Sequence, residues 1–250
     1  MLLGASNLSI MFPHVIKTLR AAHARPLEVL VAKGPGRSYG QESKFFGKKF
    51  SGVLQCDLWQ ALDAARAPKT SAIVGDVGND LAYETPVQRI VDWIETALDR
   101  LAQHDAQVVL NNIPIEALRS VGAARYLLLR SILFPSCTLP RREMLRRAEH
   151  LDEALRRLSE SRKTPIFSGK TAWYGLDPIH PRRAWAGRIW QQMIGALVGV
   201  EGELELTRAT FSEAILLHRL KPHAWVQLGL QRRARQPAAR FADATTIALY

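Results

Sequence analysis

The chain contains 250 residues, of which 47% are hydrophobic and 23% charged, and its formal net charge is +11. This length and ordinary composition are typical of one globular α/β domain with a sizeable core, and they exclude fibrous and disordered classes. No apolar run is long enough to span a bilayer, so we expect no transmembrane segment.

Short apolar runs alternate with longer amphipathic stretches along the first part of the chain. Strands are predicted at residues 2–5, 27–32 and 71–74, and the sequence also allows a short strand at 53–54. Helices are predicted at 8–22, at 58–66 and at 85–101. Asn7 is a candidate N-cap of the first helix, and Pro86 suits the first turn of the third.

The same alternation continues in the second part. Strands are predicted at 107–110 and 165–167, and helices at 115–133, 140–161 and 181–198. Near the end, the alternation of apolar residues favours a hairpin that pairs 238–241 with 245–249. Residues 182–250 are otherwise the least clear part of the sequence.

Strands that alternate with helices predict crossover connections and a mostly parallel sheet. We therefore expect an α/β fold: a three-layer, flavodoxin-like sandwich with a mostly parallel five-stranded sheet. We expect a single domain over residues 1–250, in which 181–250 form a C-terminal helix and a hairpin extension. In such sheets, functional sites lie beyond the carboxyl ends of the strands.

Cys56 and Cys137 are the only cysteines. Two thiols far apart in sequence favour a reduced cytoplasm over a disulfide scaffold, and no histidines stand near them at zinc-site spacing. Residues 1–12 are apolar and Ala22-His23-Ala24 is similar to a cleavage site, but no basic residue precedes the apolar stretch. We therefore expect a cytoplasmic protein without a signal peptide, a metal or an organic cofactor.

Basic residues concentrate at 141–163, 182–188 and 232–240. In the first stretch they alternate with acidic residues such as Glu143 and Glu149, which is typical of a solvated, salt-bridged helix face. Because no nucleic-acid motif accompanies them, we expect no specific nucleic-acid partner. Weak attraction to anionic substrates or lipid surfaces stays open.

Three short motifs follow predicted strands and supply the groups that acyl transfer requires. Gly4-Ala5-Ser6-Asn7 offers a hydroxyl nucleophile, and Gly78-Asn79-Asp80 offers an amide donor. Asp177-Pro178-Ile179-His180-Pro181 offers a general base with a carboxylate three residues away. A serine needs such a base to become a nucleophile, the base needs an orienting partner, and the developing oxyanion needs hydrogen-bond donors.

The order and spacing of these motifs resemble the SGNH (GDSL-type) hydrolase family. The resemblance covers residues 1–181 and implies a hydrolase that cleaves a carboxylic ester of a small-molecule or lipid-like substrate. It implies that Ser6 is the nucleophile, that His180 is the general base and acid, and that Asp177 orients His180. The implied oxyanion donors are the Ser6 N–H, the Asn79 side chain and the N–H of Gly40, with Gly36 as the alternative glycine.

Two positions depart from the family pattern. Ala5 stands where the family usually has Asp, and Gly78 stands directly before Asn79 rather than two residues before it. Trp173 and Tyr174 precede the Asp177–His180 motif and are candidates to line a substrate pocket, or they pack between sheet and helix. Neither the acyl nor the alcohol specificity follows from the motifs, and an acyltransferase is not separated from a hydrolase.

Two alternatives remain at this point. Gly36-Arg37-Ser38-Tyr39-Gly40 fits the Gly-x-Ser-x-Gly nucleophile elbow of α/β-hydrolases, which would make Ser38 the nucleophile. The departure at Ala5 and the positive charge also allow a non-catalytic SGNH-like module that binds a polyanion. Triad atoms at hydrogen-bond distance would favour the enzyme.

Overall fold

The computed structural model describes residues 1–45, 47–65, 69–199 and 204–250. Its first elements in chain order are β1 (Leu2–Leu3), α1 (Ser6–Ala22), β2 (Glu28–Ala32), β3 (Ser43–Phe45), β4 (Lys48–Phe50), α2 (Leu58–Ala64), β5 (Ser71–Val74), α3 (Asn79–Ala82) and α4 (Val87–Ala102). The central elements are β6 (Gln107–Asn111), α5 (Ile115–Arg119), α6 (Ala123–Leu133), α7 (Arg141–Arg162), β7 (Ile166–Phe167) and α8 (Ala186–Val198). The last are α9 (Phe211–Arg219), β8 (Ala224–Gln227), β9 (Leu230–Arg233), β10 (Ala239–Arg240) and β11 (Thr246–Leu249).

The main sheet has the strand order β10-β11-β2-β1-β5-β6-β7, and every pairing is parallel except that of β10 with β11. The prediction of a mostly parallel sheet in a three-layer sandwich is confirmed. The expected number of five strands was wrong, since seven strands pair within the described residues. The five strands β2-β1-β5-β6-β7 follow the doubly wound flavodoxin-like order.

The pleat of the sheet divides the apolar residues between two helical layers. Leu3, Val74 and Leu110 face a core formed with α2, α4 and α7. The adjacent strand residues Leu2, Ile73 and Val109 face the opposite core, formed with α1, α8 and α9. Such near-continuous apolar strands are typical of a parallel sheet that helices cover on both faces.

The predicted hairpin is confirmed, because β10 pairs with β11 and Ala239 lies opposite Ile247. Beyond the prediction, β11 also pairs in parallel with β2 and so completes the main sheet on that side. A second, four-stranded sheet of order β3-β4-β8-β9 was not predicted.

Several predicted boundaries differ from the structure. The 53–54 segment lies in a short 3-10 turn, Val53–Gln55, rather than in a strand. The helix predicted at 115–133 is two helices, because the chain becomes extended at Gly122 before α6 begins. The helix predicted from 181 begins at Ala186, and α2 ends at Ala64. The predicted end at residue 66 lies outside the described residues.

No helix within the described ranges is long and apolar enough to cross a membrane.

Candidate active site

Ser6 lies at the centre of the carboxyl edge of the sheet. It is the first residue of α1 and follows the central strand β1 after only Gly4 and Ala5. Asn7, the candidate N-cap, lies inside the helix instead, and Ala5 occupies the cap position. This short connection points the Ser6 hydroxyl towards the loop that carries His180, and Ser6 Oγ lies 2.8 Å from His180 Nε2.

The loop of Asp177 and His180 precedes α8 and has a defined internal geometry. Asp177 Oδ1 accepts the backbone N–H groups of Ile179 at 2.8 Å and His180 at 3.2 Å. Asp177 Oδ2 lies 2.6 Å from His180 Nδ1. Because an ionised carboxylate only accepts hydrogen bonds, Nδ1 carries the proton and Nε2 is left to accept from the Ser6 hydroxyl.

The charges around this pair oppose the effect of burial on its pKa values. Burial disfavours the imidazolium, but the hydrogen bond and charge of Asp177 and the charge of Asp76 raise the pKa of His180 above its ordinary value. Burial also disfavours the Asp177 carboxylate, yet the bonds from His180 and from the backbone lower the pKa of Asp177. The arrangement therefore stabilises the imidazolium that forms when His180 takes a proton.

Asp76 supplies the carboxylate that is missing at Ala5. Its Oδ2 accepts the N–H of Ala5 at 2.5 Å and the N–H of Leu8 at 3.3 Å, so it caps the N-terminus of α1. Its Oδ1 accepts from Asn7 Nδ2 at 2.8 Å, and the same amide donates to Ile179 O at 3.3 Å. Asp76 thus connects the Ser6 helix with the His180 loop.

Glycine at position 4 allows this approach, since a Cβ there would lie 3.1 Å from Asp76 Oδ2 and 3.0 Å from Leu8 Cβ. The sequence analysis did not identify Asp76. The signal was present, because Asp76 follows the predicted strand 71–74 by two residues and so belongs to the same sheet edge as Ser6.

Asn79 begins α3 and is 7% exposed. Within the part of the chain that the structure describes, its side-chain Nδ2 is buried without a hydrogen-bond partner. Asn79 lines a cavity that Asn7, Asp76 and Ile179 also line, so it lies on the side of the site where the triad motifs converge. A buried donor without a partner is unusual and points to a group that is supplied from outside the protein.

The two glycines proposed for the oxyanion hole have other contacts in the structure. The Gly40 N–H donates to Ser38 Oγ at 3.2 Å, and a Cβ at Gly40 would meet the Trp93 ring at 1.8 Å. Gly36 has a φ of +64°, and its carbonyl accepts from the Tyr83 hydroxyl at 2.5 Å. Neither glycine lines the cavity beside Asn79, so the structure does not bring either one to the Asn79 side of the site.

Ser38, the alternative nucleophile, is fully buried. Its Oγ accepts from the N–H groups of Gly40 and Gln41, and its neighbour Tyr39 donates its N–H to Asp80 Oδ2 at 3.0 Å. Burial raises the pKa of Asp80 to about 6, against the opposing bonds from Ser38 and Tyr39. These contacts assign the loop a structural role and give no support to a nucleophile elbow.

The two aromatic candidates have different surroundings. Tyr174 lines the cavity beside Asn79, and burial, followed by the charge of Asp76, raises the pKa of its hydroxyl. Trp173 stacks on Trp185 with ring centroids 6.4 Å apart and does not line that cavity. Of the two aromatic residues, Tyr174 therefore lines the cavity beside Asn79, and Trp173 packs against Trp185.

Among the residues that the structure describes, no group of three or more His, Cys, Asp or Glu side chains could hold a metal ion.

No protein-family model and no curated protein matches the chain. A solved structure of a carbohydrate acetylesterase family member from Sinorhizobium meliloti is similar over 80% of this chain and 98% of that chain, with a TM-score of 0.54 and 14% identity. A second solved structure is similar over 78% of this chain and 97% of that chain, with 13% identity and a TM-score of 0.48. The first similarity shows that the two proteins share a three-layer α/β fold.

Proposed function

We propose that this chain is a serine hydrolase that cleaves a carboxylic ester through an acyl-enzyme on Ser6. The observation that carries the proposal is the continuous contact from Ser6 Oγ to His180 Nε2 at 2.8 Å and from His180 Nδ1 to Asp177 at 2.6 Å. Such a chain of contacts activates a hydroxyl that is otherwise a weak nucleophile.

In this mechanism Ser6 Oγ forms a bond to the ester carbonyl carbon while His180 Nε2 takes the hydroxyl proton. The tetrahedral intermediate then expels the alcohol, to which His180 returns that proton. Water then attacks the acyl-enzyme while His180 Nε2 takes one of its protons. The second intermediate breaks its bond to Ser6 Oγ, His180 returns the proton to that oxygen, and the acid product leaves. Asp177 keeps the proton on Nδ1 and stabilises the imidazolium in both halves of the reaction.

Two donors are supported for the oxyanion. Asp76 accepts the N–H groups of Ala5 and Leu8, and no bond to the Ser6 N–H occurs among the described residues, so that group stays available at the helix N-terminus. The second is the unpartnered Asn79 amide. Preorganised donors of this kind stabilise the charge that develops in the transition state. Gly40 would contribute only after it breaks its bond with Ser38.

The alternative of a non-catalytic polyanion-binding module is less well supported. It was motivated by the net charge of +11 and by the absence of a carboxylate at position 5, and Asp76 supplies a carboxylate to the same helix terminus. The similarity in fold to a carbohydrate acetylesterase family member agrees with an ester as the substrate class.

The test is labelling with a fluorophosphonate probe, with the modified peptide located by mass spectrometry. We expect a label on Ser6 that is lost in His180→Ala. Ser9→Ala is the matched control, because Ser9 lies one turn later and donates its hydroxyl to Ala5 O at 2.6 Å. A label on Ser38, or no label on folded protein while a known serine hydrolase reacts, would contradict the proposal.

A further inference from the structure

The cavity beside Asn79 is a mainly apolar pocket of about 160 Å³. It lies between the carboxyl edge of the sheet and α6, which covers it. Its wall consists mainly of aliphatic and aromatic side chains, among them Val77, Ile113, Leu129, Leu133, Phe134 and Ile189.

Three polar side chains of the cavity wall, Tyr126, Arg130 and Arg141, donate hydrogen bonds to backbone carbonyls. The Tyr126 hydroxyl donates to Leu139 O at 2.7 Å, and Arg130 donates to the same carbonyl at 3.2 Å. Arg141 donates to the carbonyls of Val121 and Arg119. These residues therefore contribute their apolar portions to the wall.

Part of the cavity wall is polar, and several wall residues are sequence neighbours of the proposed triad residues. The wall includes Asn7, which follows Ser6, and Ile179, which precedes His180. The unpartnered Asn79 amide belongs to the same wall. A pocket with a polar part and a larger apolar part matches a ligand built in the same way.

We propose that this cavity binds the acyl chain of the ester substrate, so that the protein prefers aliphatic acyl groups of about six carbons to acetyl. The inference rests on the proposed function, because it orients the acyl chain from the carbonyl that Ser6 attacks. An apolar cavity of about 150 Å³ is known to hold benzene, a six-carbon ligand, which sets the expected length. An acetyl group would leave most of the space unfilled.

The expected preference follows from the burial of methylene groups. Each methylene that becomes fully buried in the transition state raises kcat/KM about fourfold. Four additional methylenes, from acetyl to hexanoyl, therefore predict a gain of about 200-fold in kcat/KM. Acyl chains much longer than the cavity gain nothing further from it.

The first experiment measures kcat/KM for p-nitrophenyl acetate, butyrate, hexanoate, octanoate and dodecanoate. We compare the intact sequence with Leu129→Trp, which places an indole ring in the cavity wall, and with Leu128→Trp, which adds the same ring at a neighbouring α6 position that does not line the cavity. Leu128 is 60% exposed, and α6 has no fully buried residue, so both variants should fold. We expect Leu129→Trp to lower the hexanoate-to-acetate ratio at least about tenfold and Leu128→Trp to leave it unchanged.

A second experiment detects acyl binding without catalysis. Titration calorimetry with octanamide, a neutral acyl analogue, is carried out on Ser6→Ala and on Ser6→Ala with Leu129→Trp, with acetamide as the control ligand. We expect octanamide to bind the first variant with a negative heat-capacity change, the signature of apolar burial, and to lose this binding in the second.

The outcomes separate the two proposals. Ser6-dependent hydrolysis with equal rates for acetate and hexanoate, together with no octanamide binding, would overturn the acyl cavity and leave the hydrolase standing. Absence of both ester hydrolysis and a Ser6 label would overturn the hydrolase, and octanamide binding would then still decide whether the cavity takes an acyl chain.

Discussion

Replacing Asn79 by Ala separates the catalytic part of the site from its structural part. The Asn79 amide lies at the junction of the triad motifs and the apolar cavity, and its Nδ2 is buried without a partner among the described residues. If this amide donates to the oxyanion, its hydrogen bond forms only when the tetrahedral intermediate forms. Asn79→Ala should then affect kcat far more than KM.

The size of the effect on activity follows from the loss of one oxyanion donor. Removing such a donor typically lowers kcat by about 10² to 10³, which corresponds to about 3 to 4 kcal/mol. The effect on stability has the opposite sign. A buried donor without a partner costs about 1–3 kcal/mol, so its removal offsets the packing that the shorter side chain loses. We expect the free energy of unfolding to stay constant or to rise.

The assay combines steady-state kinetics on p-nitrophenyl hexanoate with chemical unfolding of the same preparations. Asn111→Ala is the matched control, because Asn111 lines the same cavity and undergoes the same truncation. Retention of kcat within about threefold in Asn79→Ala would refute the oxyanion role. A marked loss of unfolding free energy would show that the amide is structural.

Three further outcomes are expected. Burial lowers the pKa of His180, whereas Asp177 and the charge of Asp76 raise it. Because His180 must be neutral to act as a base, Asp76→Asn should move the acidic limb of the kcat/KM profile to lower pH. A pH–rate profile checks this shift, and an unchanged limb with lower kcat would leave Asp76 a purely structural role. Asp177→Asn should lower kcat about 10⁴-fold with the folded structure retained, because the neutral amide no longer selects the productive tautomer of His180. Kinetics measure the loss of kcat, and circular dichroism checks the fold. A near-normal kcat would argue against the triad. Finally, burial raises the pKa of Asp80 from 3.8 to about 6, so the folded protein holds the Asp80 proton more tightly than the unfolded chain does. The stabilisation by this proton is fully present below about pH 3.8 and is lost as the pH rises through about 6. The unfolding free energy of the intact sequence, relative to Asp80→Asn, should therefore fall by about 3 kcal/mol from about pH 4 to about pH 7, and a constant difference would contradict the raised pKa.

Local sequence patterns were sufficient for several elements of the main sheet and its helical layers. The apolar run before Gly75 predicted β5, and the helical spacing after Pro86 predicted α4, because both patterns report on burial within one segment. The triad candidates were named from their motifs and the family resemblance, and their positions after strands of a parallel sheet, whose carboxyl ends share one edge, agreed with that assignment. Boundaries were less accurate where a helix such as α6 has no fully buried residue to define its start.

Contacts between distant segments could not be derived in this way. The carboxylate of Asp76 serves a helix whose cap residue is Ala5, 71 positions away, and only the adjacency of β1 and β5 brings the two together. The parallel pairing of β11 with β2 joins residues that are more than 200 positions apart, and no local pattern specifies such a partner. The cavity beneath α6 has the same origin, since its wall comes from several separate elements.

The sequence by itself therefore determined the α/β alternation and supplied the candidates for the reacting groups, because periodicity and residue chemistry are local properties. Only the tertiary structure decided which carboxylate supports the Ser6 helix. It also decided that the Gly40 N–H donates a hydrogen bond to Ser38 and that an apolar cavity lies beside the triad motifs. Those features depend on the packing of segments far apart in the chain, where shape and long-range hydrogen bonds select the partners.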